Sequence, residues 1–486
     1  PMQTLLTVAH VLGGLLMVLS LGYLPSLAWS LFIGDGAHMG FIKSAPIVFC
    51  GAGVLTLVTL RYRCELQARD GCLLVVLAYA GGAAVCALPL LFEIPGLSFT
   101  DAYFEALSGL TTTGATVLTG LDRLPSSLNL WRHLLQWVGG MGVILLAIAI
   151  LPLLGVGGMQ LFRAEAPGPR KEGKLAPRVA QTARYLWFIY IALTVSCMLA
   201  LRWAGMDWFD AVCHAFSTIA LGGFSTHDAS IAHFDSLRIE AVLAVFMMVA
   251  VLNFGTHFLA VRHRSLIAYW RDTEAKHVWL LILASALMLG IYMWLHGFDE
   301  DPASLARHVL FTTISMATTT GFANVDFTHW PIFVSMWLLL LCATSSSAGS
   351  TGGGVKMIRV LVLVRQAHRE LKRIVHPRAV APIRISGAVI ENRVILAVLG
   401  FMLLYGATIT ALSFVLMASG LSFPVSVSAI IACVNNTGPG LEYLGPAGTY
   451  GRLDDFQIWV CSLAMLAGRL ELLALFALFM PQFWRK

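Results

Sequence analysis

DAYFEALSGLTTTG, residues 101–114, begins as a short amphipathic helix and ends in a threonine run closed by glycine. Three further stretches align with it without gaps. They are DAVCHAFSTIALGG (210–223), HVLFTTISMATTTG (308–321) and VSVSAIIACVNNTG (425–438). Their closing glycines, Gly114, Gly223, Gly321 and Gly438, lie 109, 98 and 117 residues apart. A unit of about a hundred residues therefore recurs four times, and such repetition dictates architecture.

The chain has 486 residues, of which 58% are hydrophobic and only 12% charged. A soluble domain carries roughly 25% charged residues, so this composition is that of a polytopic membrane protein. The formal charge of +6 does not indicate nucleic acid, because of where it sits. Residues 61–70, 161–184, 262–276, 356–393 and 485–486 hold 24 of the 32 Lys and Arg. These are alternate loops and the tail, which the positive-inside rule places in the cytoplasm. The nine cysteines are scattered singly without metal-ligand spacing and read as small packing residues.

Residues 5–24 and 41–60 read as an accessory pair of transmembrane helices joined at Gly34-Asp35-Gly36. The first apolar segment is too long for a signal-peptide core and is expected to be retained. Each unit then reads as membrane helix, short helix, extended strand, membrane helix. The spans are expected at 71–93 and 130–154, 185–204 and 237–261, 278–296 and from 330, and 394–416 and 456–479. The expected division is 1–70 for the accessory pair, then 71–160, 161–265, 266–375 and 376–486 for the units. Each middle helix has about 12 residues, or about 18 Å, against a hydrocarbon core about 30 Å thick. It cannot span, so each short helix enters and leaves by one face. The expected fold is thus an all-α polytopic membrane protein with four membrane-pore-membrane repeats around a central pore.

Non-helical backbone at membrane depth survives only where protein buries it or where it lines an aqueous cavity. Four such strands facing one another can replace a cation's hydration shell with carbonyl oxygens. The partly negative C-termini of the short helices favour a cation at the same place. The candidate ion-binding residues are Thr111, Thr112, Thr113 and Gly114; Ile219, Ala220, Leu221, Gly222 and Gly223; Thr318, Thr319, Thr320 and Gly321; and Asn435, Asn436, Thr437 and Gly438. Ungapped alignment selects Gly223 in the second strand, with Gly222 the alternative.

These four segments resemble the filters of the Trk/Ktr/HKT superfamily of potassium transporters. The two leading helices, IALGGFSTHD (219–228) and SSSAGSTGGGVK (345–356) resemble its TrkH/TrkG branch over essentially the whole chain. The resemblance implies a homodimer in the bacterial inner membrane, with a pore in each protomer. It also implies a cytosolic TrkA-type ring through which nucleotide acts, potassium as the transported ion, and no catalysis. In plant members, serine at the position of Gly114 accompanies sodium permeation, so glycine there implies potassium preference. The second segment departs from the pattern in lacking threonine, and the fourth in carrying Asn435-Asn436. A coupled potassium/proton or potassium/sodium symporter shares this architecture and stays open at this point.

The glycine- and serine-rich stretch Ala343, Thr344, Ser345, Ser346, Ser347, Ala348, Gly349, Ser350, Thr351, Gly352, Gly353, Gly354 interrupts the return span of the third unit. It is expected to gate the pore beneath the strands. GGGVK lacks the Gly-Lys-Ser/Thr ending of a phosphate-binding loop. Arg469 falls within the last apolar segment, where charge is expensive, and is expected to face the pore. Glu471, two residues on, is poorly placed to pair with it on a helix. Glu105 and His214 occupy equivalent places on the first two short helices and are expected to hydrogen-bond near the strands or to face water. His10, His227 and His257 read as isolated. The basic loops also suit contact with lipid headgroups.

Overall fold

The structure, a computed structural model, describes residues 2–62, 67–149, 175–298, 301–378 and 381–484. Residues 150–154 of the first return span, Cys64, Pro167, Pro169, most of the basic stretch 161–184 and the terminal basic pair 485–486 lie outside them.

Among the described residues the regular structure is helical, apart from one small hairpin. The first elements are α1 (Met2–Leu21), α2 (Tyr23–Ile33) and α3 (His38–Thr59), then α4 (Ala68–Glu93), α5 (Phe99–Leu110) and α6 (Ser126–Ala149). Next come α7 (Leu175–Trp203), α8 (Trp208–Ala220), α9 (Leu237–Ala250), α10 (Phe254–His263) and α11 (Ile267–Arg271). They are followed by α12 (Thr273–Leu295), α13 (Pro302–Ala317), α14 (Ile332–Thr344) and α15 (Met357–Val375). The antiparallel hairpin β1 (Arg384–Ile385) and β2 (Ala388–Val389) turns at Ser386-Gly387, both at positive φ, as a two-residue turn requires. The chain ends with α16 (Asn392–Ala418), α17 (Phe423–Val434), α18 (Asp455–Arg469), α19 (Leu473–Ala477) and α20 (Pro481–Trp484).

Among the described residues, six helical spans are long and apolar enough to cross a membrane: Gln3–Ile33, His38–Thr59, Arg69–Glu93, Gln181–Trp203, Thr273–Leu295 and Asn392–Ala418. The fold is therefore that of an all-α, multi-pass membrane protein. The short helices α5, α8, α13 and α17 start as their sequences direct. The Ser98 and Asp207 side chains cap α5 and α8 by accepting from Asp101 N and Asp210 N. Pro302 and Pro424 lie in the first turns of α13 and α17, where a missing N–H is harmless.

Packing passes from unit to unit in a ring. α6 packs on α8, α9 on α13, α14 on α17, and α18 back on α5. In each case the helix that returns from one strand supports the short helix of the next unit. α1 and α3 lie against one another and against α4, outside this ring.

Two return spans differ from expectation. The helix expected over 237–261 is broken, with α9 and α10 meeting at 93°. The freed backbone groups find partners in the loop between α14 and α15: Ser347 N donates to Val251 O at 3.2 Å and Phe254 N to Gly349 O at 3.1 Å. Asn253 caps α10 by accepting from Gly255 N. The bend thus has an identifiable cause, an inserted segment that replaces lost helical bonds. The span expected over 456–479 also stops, at Arg469, because Glu471 and Leu472 adopt left-handed φ of 53° and 56°. Arg469 is therefore the last residue of its helix and not in the middle of one.

Candidate functional site

The four short helices end alike. Thr112, Leu221, Thr319 and Asn436 take left-handed φ of 51°, 53°, 59° and 53°. The next residue in each strand, Thr113, Gly222, Thr320 or Thr437, donates its N–H back to Ser108, Ser217, Ser315 or Ala432. This is the pattern that satisfies the last helical carbonyls at a reversed C-terminus. A left-handed residue other than glycine costs about 1–2 kcal/mol. Strain of this kind concentrates at functional sites. The backbone also fixes the register: Gly223 is the counterpart of Gly114, and Gly222 that of Thr113. Ile219 and Ala220 are still helical, counterparts of Leu110 and Thr111.

The closing glycines carry φ of 79°, 77°, 83° and 93°. A Cβ at Gly114 would overlap the Gly222 carbonyl oxygen, one at Gly223 that of Thr320, and one at Gly321 that of Thr437. A Cβ at Gly438 would crowd the Thr113 carbonyl. The contacts run from strand one to two, three, four and back to one, so the strands form a closed ring at one level.

The side chains behind the ring are less symmetrical. Thr111 and Thr113 hydroxyls bond each other at 2.8 Å, as do those of Thr318 and Thr320. Asn435 accepts from Tyr405 Oη at 2.8 Å, and Asn436 donates to Thr113 Oγ1 and Met465 O at 3.0 Å. In the second strand Gln136, from α6, donates to Gly222 O at 2.7 Å and accepts from Phe224 N at 3.2 Å. No local pattern marks Gln136, because only the fold brings α6 against the second strand.

Glu105 and His214 brace the strand after it leaves the ring. Buried Glu105 accepts from Thr116 Oγ1 and Val117 N, and pairs with buried Arg132 at 2.7 Å. His214 Nε2 meets Ser225 Oγ at 2.9 Å. Thr312, at the matching place on α13, donates to Asn324 Oδ1 at 3.3 Å. His227 is not isolated: its ring lies between Asp122 and Asp210 and stacks on His233. Burial lowers its pKa, but the Asp210 and Asp122 carboxylates outweigh this and raise it above the usual value.

Beneath the ring lies the glycine- and serine-rich loop. Ala343 and Thr344 belong to α14, so the loop proper begins at Ser345. Ser345, Ser346, Ser347, Ser350, Thr351, Gly352 and Gly353 are buried. Thr351 Oγ1 donates to Ile219 O at 3.0 Å, and Gly353 N to Thr319 Oγ1 at 2.9 Å. Gly353 also packs so closely under Asn435 O that a Cβ there would overlap it. The loop therefore touches the second, third and fourth strands from below. Arg469 joins it to the first unit, donating to Thr351 O at 3.0 Å and to Gly139 O at 3.3 Å. Glu274, at the start of α12, accepts from Ala348 N at 3.1 Å and Ile358 N at 2.9 Å, holding both ends of the loop. Glu471 pairs with Arg359 and not with Arg469. Lys356, Arg469 and Glu471 line a small cavity against the loop, with Gly352, Gly353 and Gly354.

A multi-pass helical bundle in which four helix C-termini converge on a closed ring of strands, with a buried loop below, defines a pore-loop membrane protein. A family model described as TrkH, cation transport protein, matches residues 37–486. The chain belongs to this family, a family of transporters and not of enzymes. The potassium uptake protein TrkH of Salmonella typhimurium is 44% identical over 476 residues, covering 97% of this chain and 98% of its own. TrkG of Escherichia coli is 36% identical over 481 residues, 98% of each chain. The crystal structure of the potassium transporter TrkH from Vibrio parahaemolyticus superposes with a TM-score of 0.91 at 39% identity, covering 99% of this chain and 100% of its own.

Proposed function

We propose that this protein takes up potassium across the bacterial inner membrane, selecting it at the ring and gating it at the loop below. The observation that carries this reading is the closed circuit of glycine-to-carbonyl contacts, which sets Thr113, Gly222, Thr320 and Thr437 at one level. Four equivalent helix C-termini behind it add partial negative charge. The four-repeat division and an accessory pair over 1–70 belong to the same reading, supported by the ring of helix packing. The names of the relatives, all potassium uptake proteins, support the choice of ion.

In the shut state the loop 345–356 and the Arg469 guanidinium block the path. A positive charge in a poorly hydrated cavity repels a cation strongly, since low dielectric magnifies the interaction. We further read the protein as a homodimer regulated on its basic cytoplasmic face by a TrkA-type nucleotide-binding ring. On that orientation the strands lie toward the periplasm.

Potassium flux in proteoliposomes tests this reading. An imposed membrane potential with no proton or sodium gradient drives uptake if the ring conducts. Uptake that requires a proton or sodium gradient makes the protein a coupled symporter, and no potassium flux in either condition overturns the proposal.

A further inference from the structure

Where the first two strands leave the ring, residues from two units meet. Asp122 lies in the short helical turn 121–123 after the first strand, and His227 and His233 follow the second. One ligand atom from each lies within 4.8 Å of the others. The His227 and His233 rings stack with centroids 3.5 Å apart and planes 4° apart. His227 Nδ1 faces Asp122 Oδ1, while its Nε2 contacts Asp210 Oδ2 at 3.2 Å. Asp210 is itself held by Thr226 Oγ1 at 2.6 Å, and Asp122 accepts from Asp228 N at 3.2 Å.

We propose that Asp122, His227 and His233 form a binding site for a divalent transition-metal ion, of which zinc is the natural probe. Metal-bound histidines characteristically donate their second ring N–H to a carboxylate, which fixes the tautomer. Asp210 stands in that relation to His227: if Nε2–H donates to Asp210, the Nδ1 lone pair faces Asp122, with the His233 ring stacked alongside. Two acceptors turned toward each other need a cation between them. Two imidazole nitrogens and one carboxylate oxygen suit zinc or nickel far better than magnesium or calcium. Three protein ligands also leave a coordination position open. Asp122 and His233 are exposed, so the site is open to solution. A proton on His227 is the competing occupant of the same gap, and it needs no contribution from His233.

The test is calorimetric titration of the purified full-length protein with zinc chloride, and separately with magnesium chloride. The expected result is one zinc site per chain that magnesium does not fill. His233→Ala and Asp122→Asn abolish that site, Asp210→Asn weakens it about 10–100-fold, and the exposed control His263→Ala leaves it intact. No zinc binding by the wild type overturns the proposal, as does equal zinc affinity in His233→Ala and Asp122→Asn. Filling of the same site by magnesium overturns it too, since that would be simple charge attraction.

Discussion

The amide of Gln136 occupies the space where a side chain on Gly222 would stand. Threonine fills the equivalent place in the other three strands, so α6 supplies the polar group that the second strand lacks. Gln136→Leu removes a donor from Gly222 O and an acceptor from Phe224 N in a buried setting. Each orphaned group costs about 1–3 kcal/mol. The variant should melt at lower temperature than wild type in detergent and discriminate less between potassium and sodium, whereas Gln136→Glu should retain the bond to Phe224 N alone.

Arg132 and Glu105 form a buried pair, and the guanidinium also lies 4.2 Å from the centre of the Phe224 ring. Removing one partner of such a pair is strongly destabilising, by about 3–5 kcal/mol, because the other charge stays buried. Arg132→Met should therefore destabilise more than the double change Arg132→Met with Glu105→Gln. A double-mutant cycle read from thermal unfolding in detergent checks this, and additive effects would show that the two groups act separately.

The loop beneath the ring is tethered at one side by Arg469 and at both ends by Glu274. Leaving a buried hydrogen-bonding group without its partner costs about 1–3 kcal/mol, enough to bias a gate. Arg469→Ala and Glu274→Ala should both raise potassium flux in proteoliposomes while leaving the potassium-to-sodium preference near wild type. Unchanged flux in both, or a changed preference, would place the gate elsewhere.

The C-terminal turn of α15 exposes Lys372 and Arg373 beside Leu371, Ile374 and Val375. Charge beside an exposed apolar patch marks an interaction surface for a protein or for the membrane. Lys372→Glu with Arg373→Glu should reduce co-purification with the TrkA-type ring without reducing flux of the isolated protein. Full retention of the partner would confine these charges to topology and lipid contact.

Much of this was legible in the sequence because membrane solvation leaves few options. The 12-residue length of α5 and α17 rules out a span, and the Thr-Gly endings locate the strands. The breaks after Ala250 and Arg469 were not legible. At 251–253 the residues are apolar or merely polar, and only the inserted loop, a hundred residues away, makes a bend favourable. Glu471 and Leu472 carry no turn signature, yet both take positive φ. Asp122, which faces His227, and the strand groups bonded to Gln136 lie in neighbouring units, so no local pattern announces them.

Gly114 tests the central claim most directly. It sits at φ 79°, and a Cβ there overlaps the Gly222 carbonyl oxygen. Gly114→Ser must therefore push that oxygen out of the ring and spoil its spacing. The measurement is the reversal potential of the reconstituted protein with potassium on one side and sodium on the other. The expected result is a potassium-selective wild type and a variant shifted toward sodium, with the permeability ratio falling about tenfold, equivalent to ~1.4 kcal/mol. An unchanged reversal potential in Gly114→Ser would contradict the claim that this ring selects the ion.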